Sequence, residues 1–198
     1  MKAINNFIKW LFWFILGMII LSTAAFYLYN SQQKIAADIP VYNQLPTFSF
    51  TSHTGDAFGL DQIQGKINVV DFIFTNCGAA CPIMTTEMSE LYNNFAQMPQ
   101  VQFISISVDP ENDTIERLNE FAQGYGVTDH RWQFLRGPIA EVSDLAEKGF
   151  LVSDDFPGNH STKFILVDRQ AKVRGYFDSY DRESLDSLKT TIQQLAKK

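Results

Sequence analysis

The chain's two cysteines stand together in Cys77-Gly78-Ala79-Ala80-Cys81-Pro82. An apolar stretch of strand length precedes them and an amphipathic helical stretch follows, so both sulfurs fall at or beside a helix N-terminus. The unpaired N–H groups and the dipole there favour thiolate over thiol. Thiolate is the form that attacks disulfides and binds soft metals, so the pair points to redox or copper chemistry. A passive staple is the plain alternative, but closing so short a loop removes little chain entropy. Spacing alone does not decide between the redox and the metal role.

His160 lies in Asp154-Asp155-Phe156-Pro157-Gly158-Asn159-His160-Ser161-Thr162, a segment rich in breakers just before the apolar run KFILV. If that run is a strand beside the cysteine-bearing one, His160 comes within reach of both sulfurs. Two thiolates and one imidazole make a soft, low-coordinate site suited to copper; an exposed loop histidine is the other reading. Asp71 interrupts the apolar strand six residues before Cys77. Burial there raises its proton affinity and makes it a candidate acid/base partner for a cysteine, unless a lysine or a backbone group pairs with it. His53 and His130 flank turn-like stretches and are expected at the surface. Met84 and Met88 have helical spacing and are expected in the core, while capping and turn formation account for Asp109 and Asp113 in SVDPENDT.

These residues need elements to position them. Residues 47–198 alternate strand and helix signals. Phe48–Thr51 reads as a short strand, and Ile67–Phe74 and Val101–Val108 as central strands covered on both faces. Met84, Met88, Leu91 and Phe95 form one apolar helical face, and Ile115, Leu118, Ala122 and Tyr125 another, with Asp113 or Thr114 as N-cap. Residues 138–148 are a weaker helical candidate. Phe164–Asp168 and Lys172–Phe177 suggest an antiparallel hairpin, and Leu185, Leu188, Ile192 and Leu195 mark a last helix starting near Ser179 or Asp181. The pattern predicts an α/β fold, a mixed central sheet with helices on both faces, with the cysteine loop at the C-terminal end of the first central strand.

Ahead of this domain, residues 10–29 (WLFWFILGMIILSTAAFYLY) carry no charge and are long enough to cross a ~30 Å hydrocarbon core as a helix. Trp10, Trp13, Tyr27 and Tyr29 lie toward its ends, where amphipathic rings favour the interface. Lys2 and Lys9 precede it, which predicts residues 1–9 in the cytoplasm and the rest on the extracytoplasmic side of an inner membrane, where disulfides are permitted. A cleaved signal peptide is the alternative, but the apolar run continues past Thr23 and Ala25 through Leu28, as in an uncleaved anchor. Residues 30–46 are polar with two prolines and read as a linker. With Lys2 and Lys9 set aside, 14 Lys+Arg face 22 Asp+Glu, a net charge of −8 with no basic run, which excludes nucleic acid as an expected partner.

The runs VVDFIFTNCGAACPIMTTEMSEL, ISISVDPENDT and HSTKFILVDRQAKVRGYF, in this order and spacing, resemble the Sco/SenC family of membrane-anchored copper proteins over about residues 45–195. The resemblance implies a thioredoxin-like fold, copper held by Cys77, Cys81 and His160, and a role at the dinuclear copper site in subunit II of cytochrome c oxidase. That role is either copper delivery or thiol reduction, served by a thiol reductant or a copper donor. Asp71 matches the place of the buried aspartate of thioredoxins. Two features depart from the family pattern: the small apolar Gly-Ala-Ala between the cysteines, and Asn159 where acidic residues are common. The expected function is a redox-gated copper chaperone, since a disulfide removes both thiolate ligands. The alternatives are a tethered thiol–disulfide oxidoreductase without metal, and a redox or copper sensor.

Overall fold

The computed structural model describes residues 2–37, 39–76, 80–152 and 161–197, with the backbone alone for 2–8, 27–37, 80 and 81. The chain divides into two compact units, Met1–Ile39 and Pro40–Lys198. The first is a single helix, α1 (Lys2–Ala37), which begins before and runs beyond the charge-free stretch. Its window Lys9–Phe26 has a mean hydropathy of 1.7 and is long and apolar enough to cross a membrane. Trp10, Phe12, Trp13 and Leu21 are all more than 60 % exposed, the opposite of a soluble core helix.

The second unit is built on an eight-stranded mixed sheet in the order β1-β8-β7-β4-β5-β6-β2-β3. The strands are β1 (Asn43–Gln44), β2 (Ser49–Ser52), β3 (Ala57–Gly59), β4 (Ile67–Ile73), β5 (Val101–Ser107), β6 (Trp132–Arg136), β7 (Lys163–Val167) and β8 (Lys172–Asp178). β4, β5 and β6 are parallel, joined by α3 (Ala80–Asn94) and α4 (Ile115–Gly124). Every residue of β4 and β5 is buried, as continuous apolar runs covered on both faces require. β7 and β8 form the expected antiparallel hairpin, with a register shift at Leu166/Val167.

One sheet face carries Val70, Phe72, Ile104, Ile106, Leu135 and Ile165. It packs with Ile63 of α2 (Leu60–Ile63), with Val142 of α5 (Ile139–Asp144), and with Leu145 and Ala146 of the π-helical turn Leu145–Gly149 that follows α5. Helices α3 and α4 lie on the other face. Tyr92 meets the rings of Phe103 and Trp132, and Phe121 meets Phe134 edge-on. α6 (Arg182–Ala196) joins them, its Arg182 reaching Glu87 of α3 at 3.4 Å. Leu185, Leu188, Ile192 and Leu195 are its buried stripe, and Asp181 caps it by accepting from the N–H groups of Glu183 and Ser184. In α4 the cap is Thr114.

Four elements go beyond the sequence reading: β1, β3, α2 and β6. β6 is the important one, because it lies against β5 and its Trp132 and Phe134 fill the α3/α4 layer. Its five residues sit between polar His130-Arg131 and Gly137-Pro138, too short a run for periodicity to reveal.

Candidate thiol and metal centre

β4 ends at Ile73, and the chain passes through Phe74, Thr75 and Asn76 toward the cysteines. Cys77 lies outside the described residues. Cys81 is the second residue of the 15-residue α3, whose first turn carries no acidic residue. The helix end therefore presents its unpaired N–H groups without a competing negative charge. Pro82 follows in the first turn, where proline is tolerated, and its carbonyl accepts from the Thr86 hydroxyl at 2.7 Å.

β7 pairs directly with β4 in antiparallel sense: Asn68 faces Val167 and Val70 faces Ile165. The strand preceded by His160 thus begins at the end of the sheet where the cysteine-bearing strand finishes. His160 itself lies outside the described residues. Two residues later the chain is pinned, because the Thr162 carbonyl accepts from both the N–H and the hydroxyl of Ser179, at 3.3 and 2.6 Å. Among the described residues no group of three His, Cys, Asp or Glu could hold a metal ion.

Asp71 is fully buried. It faces Ser105 across the parallel ladder, on the α3/α4 side, and the Ser105 hydroxyl accepts from the Trp132 indole N–H at 3.0 Å. Among the described residues no lysine pairs with it, and neither of its oxygens makes a hydrogen bond of full geometry. Burial pushes its carboxyl up to about 7, against the opposing pull of the nearby Ser105 hydroxyl and its own backbone N–H. A carboxyl held near neutrality, two residues (~7 Å) below the end of the cysteine strand, is suited to taking and returning a proton.

Met84 and Met88 are fully buried in α3, as helical spacing predicts. His130 is exposed as expected. His53 is not the surface residue expected. It is buried, packs edge-on against Phe134, and its Nδ1 accepts from the Phe134 N–H at 3.3 Å. Burial, and then the charge of His130, hold its imidazole below the usual range. The turn His53-Thr54-Gly55-Asp56 is present, but it folds back onto β6, which the sequence did not reveal.

The structure adds residues that sequence reasoning left in ordinary turn and cap roles. Asp113 is fully buried and does not cap α4. It reaches across the strand ends to accept from the Thr75 hydroxyl at 2.5 Å and the Ser107 hydroxyl at 2.5 Å. Arg117 Nε donates to the same Thr75 hydroxyl at 2.5 Å. A signal existed: Ser105 and Ser107 break the apolar run VQFISISV at alternate positions, marking one polar side at the end of β5.

Residues 36–197 match the SCO1/SenC family model. The SCO1 protein homolog of Bacillus subtilis is 31% identical over 161 residues, covering 78% of this chain and 83% of that protein. Among solved structures, BsSco is described as having a disulfide switch and as a member of the Sco family of cytochrome c oxidase assembly proteins. It matches with a TM-score of 0.71 at 30% identity over 80% of this chain and 96% of that one. Copper-bound ScoI of Bradyrhizobium japonicum shares the fold at a TM-score of 0.61 and 24% identity, over 75% of this chain and 99% of that one. The fold is thioredoxin-like.

Proposed function

Because the chain belongs to the SCO1/SenC family, we propose that it is a redox-gated copper carrier serving the dinuclear copper site in subunit II of cytochrome c oxidase. The observation that carries this reading is the direct pairing of β4 with β7, which brings the exit of β4 toward the cysteines and the entry to β7 that follows His160 to one end of the sheet. Copper is the cargo. Cys77 and Cys81 as thiolates and His160 as a neutral imidazole are the proposed ligands, a donor set matched to a soft, low-coordinate ion. The N-terminus of α3 stabilises the thiolates, and transfer of two electrons from the pair to a disulfide-bearing oxidant, which leaves as two thiols, closes Cys77–Cys81, withdraws both ligands and releases the cargo. The copper-bound and disulfide-switching relatives support the two halves of this cycle. The full chain in detergent tests it. Reduced protein is expected to bind one cuprous ion per chain against a competing chelator, and protein oxidised at Cys77–Cys81 to bind none. Equal binding by both forms would overturn the redox gate.

A second reading, a membrane-tethered thiol–disulfide oxidoreductase acting without metal, is favoured by one observation: the buried, unpartnered Asp71 with its carboxyl near neutrality. It uses the same cysteines, with Asp71 accepting the proton of the resolving thiol.

We assign α1 as an uncleaved anchor with residues 1–9 cytoplasmic and the thioredoxin-like domain extracytoplasmic. Its exposed apolar surface supports this, as do the flanking lysines. Protease added outside spheroplasts is expected to digest the domain. Protection of the domain, or a mature N-terminus near Phe26, would reverse the assignment.

A further inference from the structure

We propose that Asp113, acting through Thr75, is the positioning residue of the dithiol: it holds the point where the chain leaves β4 and thereby sets how readily Cys77 and Cys81 close to a disulfide. This rests on the redox-gated reading and deepens it. An aspartate at the start of a helix ordinarily caps it, but here Thr114 takes that role and the Asp113 carboxylate is turned away from α4. Both its oxygens are committed to the strand ends. Oδ1 accepts from the Thr75 N–H at 3.2 Å and from its hydroxyl at 2.5 Å; Oδ2 accepts from the same N–H at 3.3 Å and from the Ser107 hydroxyl at 2.5 Å. The Thr75 hydroxyl is used twice, donating to Asp113 and accepting from Arg117 Nε. The Asp113 side chain, 38 residues from Thr75 in sequence, thus ties the exit of β4 to the end of β5, and Arg117 ties it to α4.

Thr75 is two residues from Cys77, a reach of ~7 Å at full extension. Disulfide closure requires a Cα separation of ~4.4–6.8 Å and a restricted pair of Cβ directions. Cys81 is carried by the first turn of α3, and Thr75 stands two residues before Cys77 in sequence, so the anchoring of Thr75 bears on where Cys77 is presented to α3. Fixing Thr75 lowers the conformational entropy lost on closure and raises the effective concentration of one thiol at the other. Ser107 and Arg117 serve this by holding Asp113 and Thr75 in register.

The test is the dithiol–disulfide equilibrium of the full chain in detergent, in mixtures of reduced and oxidised glutathione, read by thiol trapping and mass. In this reaction the two cysteine thiols pass two electrons and two protons to glutathione disulfide, forming one S–S bond and two glutathione thiols. Thr75→Val keeps the shape and removes only the hydroxyl. It is expected to shift the equilibrium about tenfold toward the dithiol, equivalent to ~30 mV, while Thr75→Ser stays near wild type. By the thermodynamic cycle, the oxidised form of Thr75→Val must then lose more thermal stability than the reduced form. Equal losses in both forms with an unshifted equilibrium would reduce the network to plain structure and overturn the proposal, as would Thr75→Ser behaving like Thr75→Val. Should Thr75→Val not fold, Arg117→Met removes only the exposed donor and must give a smaller shift in the same direction. A wild type that forms no reversible disulfide would remove the redox-gated reading and this one together. A wild type that cycles beside an unshifted variant would remove only the role of Asp113.

Discussion

Reduced full chain carrying His160→Ala is expected to lose tight copper binding while still cycling between dithiol and disulfide. Disrupting even an outer partner of a ligand commonly costs ~10–100-fold in metal affinity, so loss of one ligand in three should cost at least as much. Thiol exchange needs only the sulfurs and access to them, and the histidine supplies neither. Cys77→Ser and Cys81→Ser should each lose both activities, because a hydroxyl is neither a soft ligand nor a redox partner. The measurement is a competition titration with an independent cuprous chelator, beside a glutathione equilibrium on the same preparations. Unchanged affinity in His160→Ala would defeat the three-ligand site, and cells that still assemble their oxidase copper site with that variant would favour the oxidoreductase.

Asp71→Asn should stabilise the protein at alkaline pH and do little at acidic pH. In the unfolded chain the carboxyl loses its proton near 3.8; in the fold it holds it to about 7. The folded state therefore binds the proton more tightly. Its contribution is fully present below pH ~4, drains away as pH rises through the window, and above 7 leaves a buried charge without a partner among the described residues. The span corresponds to on the order of 4 kcal/mol. Asparagine keeps the shape and cannot ionise, so melting curves of wild type and variant should nearly coincide at pH 4 and separate by several degrees at pH 8. Parallel curves across that range would show that Asp71 does not titrate in the window. The same substitution should slow thiol–disulfide exchange near neutrality and leave reduced-state copper affinity nearly unchanged. A residue that costs stability and speeds exchange is the trade expected of a functional group in a core. Equal exchange rates across neutral pH would deny Asp71 a proton role.

Much of the architecture was legible along the chain because it is local. Continuous apolar runs of strand length became β4 and β5. The stripe Leu185, Leu188, Ile192 and Leu195 became the buried face of α6, and Thr114 and Asp181 became caps. Each follows from side-chain periodicity or from a single turn of backbone hydrogen bonds, within a few residues. The cysteine pair ahead of a helix, and the aspartate interrupting a buried strand, were visible for the same reason: a residue out of keeping with its neighbours is a local signal. What the chain alone left open is everything set by which strands become neighbours. β6, too short for periodicity, is defined by its ladder with β5, and the pairing of β2 with β6 sets His53 against Phe134. β7 lies against β4 because the sheet order puts it there, which no spacing between Cys81 and His160 expresses. Asp113 has the local appearance of a turn residue and becomes the anchor of Thr75 only because parallel pairing sets the ends of β4 and β5 side by side. Desolvation of Asp71 follows the same rule: sequence suggests a carboxylate in a strand, but only packing on both faces removes its water and its partners and carries its titration toward neutrality.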